Sequence, residues 1–418
     1  MKKKSLLNIS ISLTFFFIIV LSFFLYIENL NFLYEKNNFF HNQIFPNSGV
    51  GDAFNFYHSK EDINFVRYLN DIIINFNSSK IYPSNNYNFK IFIQLFDKNI
   101  HLIYAFNLLF YLYFIYKFSF FFQKKKLILY FILSSLNILI LGSLSIPNKD
   151  ILTYFSFTAL LLYYLRRDYK LLFLSFFFAA VSRHEIIIIN ILVLIINSNF
   201  FLQINNFLIK KSKFFFIILT YIFSQLIFSF FYKITIDVFM KFFFFYIFKF
   251  FFFYIVFRFF LKKIDNYLFC KISYLALFII FISILIPKYY WFVGSGFFLE
   301  NNAYSYGISK LIYKMCLEGF FFIIYPFKIL ISLFGNVFQK INFSSYETIL
   351  SYWSQLLFFI LFFFNIVKKN FTKNIDILFM IFFFLLVFSL PAYHTHRYVW
   401  FTYQYFVVVS LFFKDIKN

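Results

Sequence analysis

Long uninterrupted apolar runs constrain the fold of this chain more than any other feature of its sequence. Residues 214–231 and 242–257 are two examples, and similar runs recur along most of the chain. About twenty apolar residues in a helix span a bilayer core of roughly 30 Å. Inside that core the backbone must satisfy its own hydrogen bonds, which leaves helices or a closed barrel. Barrel strands alternate polar and apolar residues, and these runs do not, so the sequence predicts an all-α polytopic transmembrane bundle.

Charge and composition favour the same class. Only 13% of the 418 residues are charged, whereas soluble domains carry roughly 25%. The formal net charge of +22 comes largely from basic residues at the ends of apolar runs, which is the positive-inside pattern of membrane proteins. We therefore expect membrane lipids as partners and no nucleic acid. The clusters assigned to the cytoplasm are residues 2–4, 124–126, 166–167, 210–213, 262–263 and 368–369.

The apolar runs predict about ten to twelve membrane helices in a single transmembrane domain, residues 1–418. With the basic clusters inside, residues 28–100 and 287–348 form the two long outer loops. Residues 320–333, within the second loop, are expected to form an interfacial helix at the outer surface. The predicted spans lie near residues 6–27, 101–122, 127–146, 150–165, 214–232, 242–260, 268–286, 349–367, 375–391 and 398–413.

One further apolar segment, residues 171–197, allows two arrangements because Ser182-Arg183-His184-Glu185 interrupts it. A single crossing would place the cluster at 210–213 outside the membrane. Two half-helices that bend back on each other would keep that cluster inside, so we favour the bent form.

The first outer loop contains the main candidate for chemistry, the run Gly49-Val50-Gly51-Asp52-Ala53-Phe54-Asn55-Phe56-Tyr57. Glycosyl transfer requires a deprotonated acceptor hydroxyl, and a carboxylate such as that of Asp52 can take the proton as general base. Gly49 and Gly51 allow a tight turn beside it. The alternative is a solvated loop aspartate next to a turn.

An acidic residue followed five positions later by Tyr, just after the first helix, resembles the GT-C superfamily of polytopic glycosyltransferases. Those enzymes use polyprenyl-phosphate-linked sugars, and bacterial surface-polysaccharide proteins share much of their layout. The matching residues here are Asp52 and Tyr57. The resemblance implies that Asp52 is the catalytic carboxylate and that Tyr57 contacts substrate. The paired acids that many members carry in this loop are not evident, although Glu61 and Asp62 lie nearby at a different offset.

A second match is the short outer turn Pro147-Asn148-Lys149-Asp150. Similar membrane transferases and polymerases have a Pro followed by Lys-Asp or Lys-Glu at this place. The resemblance implies that Lys149 faces the phosphate of the lipid donor. Asp150 is expected to cap a helix that starts at Ile151. The alternative is a helix cap beside a lysine that extends to the membrane surface.

Two more motifs carry ionisable residues. Arg183 follows a stretch of small residues, as it commonly does in the superfamily, which implies that it binds the donor phosphate. Glu185 joins it as a candidate, and the alternative is a structural ion pair between two half-helices. His396-Arg397-Tyr398 opens the last predicted helix and again resembles the superfamily, with Arg397 as a second phosphate ligand. His394 and His396 with Asp52 would make an incomplete metal site.

The first hypothesis is therefore a membrane glycosyltransferase that moves a sugar from a polyprenyl-phosphate donor to a glycan or lipid acceptor at the outer face. A repeat-unit polymerase of the O-antigen type is close to it, but the late loop 287–348 contains no arginine for a diphosphate. A lipid-linked oligosaccharide flippase is the alternative from another class. The chemistry requires no cofactor, and a divalent cation is left open. The resemblance and the coding bias toward Phe, Ile, Asn and Lys indicate a multi-pass protein of the bacterial inner (plasma) membrane.

Overall fold

A computed structural model describes part of the chain, chiefly its first half. The described ranges are residues 2–34, 85–122, 124–182, 346–367 and 400–411. Single described positions between them are Ile186, Ile187, Asn190, Ile191, Leu194, Leu330, Leu333, Phe334 and Ile381.

Within these ranges nearly all of the backbone is helical and none is strand, so the described part is all-α. The helices, numbered in chain order, are α1 Lys2–Tyr34, α2 Asn85–Gln94, α3 Ile100–Ser119, α4 Lys124–Leu136, α5 Ile138–Leu144, α6 Lys149–Arg166, α7 Tyr169–Ser182, α8 Tyr346–Val367 and α9 Tyr403–Leu411. A 3-10 turn, Trp400–Thr402, leads into α9.

Helix α3 begins at Ile100 because the side chain of Asn99 accepts hydrogen bonds from the backbone N–H groups of His101 and Leu102. Helix α1 packs antiparallel to α3. The hydroxyl groups of Tyr104 and Ser22 form a hydrogen bond at 2.9 Å, and the Tyr104 ring stacks on that of Tyr26. The Tyr26 hydroxyl also forms a hydrogen bond with the His101 ring. The end of α1 therefore lies beside the start of α3.

Helices α3 and α6 run in the same direction. The rings of Tyr111 and Tyr154 lie 6.2 Å apart near the middle of the pair. At the carboxyl end of α6, the Arg166 guanidinium donates to the Lys117 carbonyl and lies over the ring of Phe121. The carboxyl ends of α3 and α6 thus meet, and they bring Lys117, Arg166 and Arg167 to one end of the bundle. We call this the basic end.

Helices α6 and α7 form an antiparallel hairpin that turns at the basic end. Arg167 adopts a left-handed conformation (φ 57°, ψ 30°) and its N–H donates to the Tyr163 carbonyl, which ends α6. Asp168 then accepts from the Lys170 N–H and starts α7. In the middle of the hairpin, Ser156 and Ser175 each donate to the other's backbone carbonyl, at 2.8 and 2.9 Å. This reciprocal pair fixes the register of the two helices.

The chain has folded back on α7 by the time it reaches Asn190. The Asn190 amide donates to the Ser175 hydroxyl at 2.9 Å and to the Ser156 hydroxyl at 3.2 Å. In one straight helix, Ser175 and Asn190 would lie about 22 Å apart. The contact agrees with the bent arrangement of residues 171–197 and not with a single continuous crossing.

A break divides the predicted span 127–146. Helix α4 ends at Leu136, α5 starts at Ile138, and the two axes differ by 61°. Asn137 lies at the break, fully buried, and its side-chain oxygen accepts from the Ile140 N–H. The predicted span thus consists of two helices that meet at a bend, where the Asn137 side chain takes the N–H that would otherwise continue the helix.

The described helices carry large apolar side chains on their exposed faces, and their mainly apolar interior contains several polar side chains. Large apolar side chains are exposed along their outer faces, for example Leu109 at 67% and Phe173 at 70%. Polar side chains such as Asn107, Asn137 and Asn190 are almost completely buried. Scattered exposed apolar residues are normal in soluble proteins, whereas buried polar groups carry information. Together, the two features are what a bilayer as solvent favours.

By length and apolar composition, α3 could cross a membrane, and the bent pair from Lys126 to Leu144 adds a second span if its two pieces are counted together. Shorter apolar helices are Ile11–Ile27, Tyr169–Ser182 and Tyr352–Phe364. Helix α1 extends beyond its predicted span at both ends, and α2 lies within the predicted outer loop 28–100. The predicted late loop 287–348 lies mostly outside the described residues.

We expect Ser175→Ala to destabilise the protein by about 1 kcal/mol, the typical size of an interhelical hydrogen bond in a membrane protein. The change removes a donor to Ser156 and an acceptor for Asn190. The free energy of unfolding, measured by SDS titration of detergent-solubilised protein, tests this. Ser182→Ala is the matched control, since Ser182 is equally buried but bonds only Ala179 of its own helix. Equal stability of the two variants would contradict the prediction.

Candidate functional site

Only two of the predicted site residues, Lys149 and Asp150, lie within the described part of the chain. They occupy the start of α6. The remaining candidates fall outside the described residues: Asp52, Tyr57, Arg183, Glu185, His396, Arg397 and Tyr398. Described residues lie close in sequence to two of them, because Ser182 directly precedes Arg183 and Trp400 follows Arg397 by three positions.

The turn before α6 is built by Asn148. Its backbone is extended (φ −127°, ψ 127°), and its side-chain oxygen accepts from the Asp150 N–H at 2.9 Å. The helix therefore begins at Lys149 rather than at Ile151, and Asn148 rather than Asp150 is the capping residue. The predicted cap was wrong because Asp150 already has helical neighbours on both sides, whereas Asn148 has the extended backbone that a cap requires.

Lys149 and Asp150 differ in exposure. Asp150 is only 1% exposed, within the first turn of α6. The amino end of a helix carries a partial positive charge, which stabilises a carboxylate placed there. Lys149 is partly exposed. The first turn of α6 thus combines a buried carboxylate with a partly exposed lysine.

The end of α7 lies level with Lys149. Ser156 and Ser175 face each other across the antiparallel hairpin. Lys149 precedes Ser156 by seven residues, and Ser182 follows Ser175 by seven, so each lies about 10 Å along its helix from the serine pair, in the same direction. Arg183 is the next residue after Ser182 in the sequence.

The described residues 400–411 begin near the end of the bundle where Lys149 and the end of α7 lie. The Trp400 ring stacks on Tyr154 at 5.8 Å, and Phe401 follows against Phe157 at 5.4 Å. The chain therefore passes α6 in the direction from Lys149 toward the basic end. Arg397 precedes Trp400 by three residues in the sequence.

The segment that follows the first predicted outer loop is also anchored at this end. The Asn88 side chain in α2 donates to the Ala180 carbonyl in the last turn of α7, at 2.8 Å. The end of α1 and the start of α3 meet at the same end of the bundle, opposite Arg166. We call this the Lys149 end. It contains the described boundaries of the loop that carries Asp52.

Sequence reasoning missed a set of buried polar side chains between the helices. Gln404 accepts from the Tyr154 hydroxyl at 3.3 Å and donates to that of Tyr130 at 2.9 Å. Tyr405 donates to the Phe157 carbonyl. Isolated polar residues within apolar runs, such as Asn107 and Asn137, were the available signal, because a bilayer core tolerates them only when they are bonded.

Within the described residues, no group of three or more His, Cys, Asp or Glu side chains is placed to hold a metal ion. A lysine beside a helix start, as at Lys149, is an arrangement that suits a phosphate group. No known protein family, curated protein or solved structure matches this chain.

We expect Asn148→Ala to lower stability by about 1 kcal/mol, because the first turn of α6 loses its cap. Asn148→Ser retains a side-chain oxygen and should lose much less. SDS titration of the purified variants measures both values. If the alanine and serine variants were equally stable, the cap would have no energetic role.

Proposed function

We propose that this chain is a polytopic membrane glycosyltransferase that moves a sugar from a polyprenyl-phosphate donor to a glycan or lipid acceptor at the outer face of the membrane. The observation that carries the proposal is the register of the α6–α7 hairpin. It sets the residue before Arg183 level with Lys149, at the end of the bundle opposite the basic end.

The two ends of the bundle support an orientation. Lys117, Arg166, Arg167 and Lys170 lie at the basic end, which the positive-inside rule assigns to the cytoplasm. The Lys149 end then faces outward, where a lipid-linked donor presents its phosphate among the headgroups. Exposed apolar faces on α1, α3 and α7 support contact with lipid tails and with the chain of the donor.

In the proposed reaction, Asp52 accepts the proton of the acceptor hydroxyl. The hydroxyl oxygen forms a bond to the anomeric carbon, and the bond from that carbon to the phosphate oxygen breaks. The electron pair leaves with the polyprenyl phosphate, whose added negative charge is offset by Lys149, Arg183 and Arg397. The atoms balance without a redox partner.

The remaining candidates have supporting roles in this proposal. Tyr57, His396 and Tyr398 contact the sugars, and Glu185 orients Arg183 or an acceptor hydroxyl. Asp150 is 1% exposed in the first turn of α6, and its contact with substrate stays a prediction.

A flippase is less well supported than a transferase. Transporters commonly use broken helices whose free backbone groups coordinate substrate or ions near the bilayer midplane. In the described α4–α5 break, protein side chains occupy three of the last four carbonyls of α4. A repeat-unit polymerase would use the same cations at the same face, so the identity of the donor separates it from the transferase.

The proposed orientation predicts opposite labelling of two cysteine variants. Leu95→Cys lies at the Lys149 end and Tyr169→Cys at the basic end, and the native side chains are 76% and 75% exposed. With Cys270 and Cys316 replaced by serine, a membrane-impermeant maleimide applied to intact bacterial spheroplasts should label residue 95 and not residue 169. Permeabilised cells control for reactivity at both positions. Labelling of both or neither in intact cells would contradict the orientation.

We expect Asp52→Asn to lower transfer about 10²- to 10⁴-fold, the usual contribution of a general base. Lys149→Ala should lower transfer through weaker donor binding, with partial recovery in Lys149→Arg. The measurement is lipid-linked glycan analysis in cells that carry each variant at equal protein level, where an unextended intermediate should accumulate. Lys170→Ala at the basic end is the matched control and should leave the glycan profile unchanged. Full transfer by Asp52→Asn would overturn the catalytic assignment.

A further inference from the structure

Side chains from three other helices form hydrogen bonds with the backbone at the break between α4 and α5. The last four carbonyls of an α-helix have no partner within the helix, and a bilayer supplies none. Three of those four in α4 accept side-chain donors instead. The Tyr403 hydroxyl bonds Leu133 at 2.9 Å, the Tyr111 hydroxyl bonds Ser134 at 2.6 Å, and the Trp353 indole N–H bonds Leu136 at 2.9 Å.

The three donors come from three different helices: α3, which directly precedes α4 in the sequence, and α8 and α9, which are more than 200 residues away. Tyr111 and Tyr403 are each 1% exposed, so their hydroxyl groups would be costly to bury without these carbonyls. Side-chain donors from three neighbouring helices therefore converge on the end of α4 and hold it in place.

Helix α5 is held at its two ends by asparagines. At its start, Asn137 supplies the oxygen that accepts the Ile140 N–H. At its end, the Asn107 amide donates to the Leu144 carbonyl at 3.1 Å. Leu144 is five residues before Lys149 in the sequence. The direction of α5 therefore fixes where the turn 145–148 begins, and with it the place of Lys149.

We infer that Asn137 is a positioning residue for the Lys149 end: by ending α4 and capping α5, it sets the depth at which Lys149 meets the membrane surface. The functional consequence rests on the transferase proposed above, but the placement of Lys149 does not. An aligned α4–α5 helix would redirect α5 by the 61° of the present bend and displace the turn that follows it.

Substitutions of Asn137 can distinguish two explanations for its effect on the bend: that its side-chain oxygen caps α5, or that its side chain only fills space. Its oxygen is used as a cap, whereas its buried amide nitrogen has no hydrogen-bond partner. If the cap is what matters, serine, which retains a capping oxygen and lacks the amide, should replace asparagine. If asparagine only fills space, leucine, of similar size, should serve as well.

The test is the labelling rate of Lys149→Cys by a membrane-impermeant maleimide, in the full-length chain with Cys270 and Cys316 replaced by serine. We expect Asn137→Leu to change that rate about fivefold or more, as the loss of a cap shifts a local equilibrium by that factor. Asn137→Ser should restore the rate of the parent. Ser135→Ala is the control, because Ser135 bonds only Ile132 of its own helix.

Two results would overturn the inference: an unchanged rate in Asn137→Leu, or a serine variant that behaves like leucine. If Asn137→Leu does not accumulate, Tyr403→Phe replaces it, since this change removes only the hydroxyl that bonds Leu133. Tyr403→Phe should also change the labelling rate of Lys149→Cys relative to the parent, and an unchanged rate would again overturn the inference. Glycan analysis of Asn137→Ser and Asn137→Leu is the second readout. A shifted labelling rate with an unchanged glycan profile would refute the transferase link alone.

Discussion

The backbone carbonyl is the group on which most of the described architecture depends. In a medium without water, every carbonyl that leaves a helix needs a donor from the protein. Tyr111, Trp353 and Tyr403 provide such donors at the end of α4. Carbonyls inside a helix can also accept a second donor, as those of Ser156 and Ser175 do from each other's hydroxyl across the α6–α7 hairpin. Phenylalanine, which accounts for 81 of the 418 residues, fills space equally well at many positions and cannot specify a register. The few polar side chains therefore determine which helix faces meet and at what depth.

Helix positions could be predicted from the sequence where an apolar run ends in a charge or a cap. The predicted spans 101–122 and 150–165 agree with α3 (Ile100–Ser119) and α6 (Lys149–Arg166) to within three residues. The break at Asn137 could not be predicted, because its partners lie up to 270 residues away in the chain. The capping residue of α6 was also ambiguous in the sequence, because Asn148 and Asp150 both have suitable side chains. Asn148 is the cap because its backbone is extended, whereas Asp150 already lies within the helix. For the candidate site, the sequence supplied the residue types, whereas the placement of Lys149 level with Ser182 follows from the serine pair, which could not be predicted.

The apolar exposed faces and the polar side chains buried within a mainly apolar interior both follow from one solvent constraint. A soluble bundle with Leu109 and Phe173 mostly exposed would associate through those faces. In a bilayer the same faces are solvated by lipid, and helices gain little from burying them. Helix association must then come from packing and from interhelical hydrogen bonds such as those of Asn190 and Gln404. This explains why individual buried serines and asparagines are expected to matter more here than individual phenylalanines.

A site for lipid-linked substrates has to combine a fixed charge with a fixed depth. The donor phosphate is held at the headgroup level by its own lipid chain, so a cation displaced along the membrane normal meets solvent or hydrocarbon instead of phosphate. A lysine on a flexible loop would sample several depths. Lys149 instead begins a helix whose cap, Asn148, is buried and whose preceding helix is bonded at both ends by Asn137 and Asn107. The rigidity of this connection, more than the presence of a lysine in the turn, is what supports the proposed recognition of phosphate at this position.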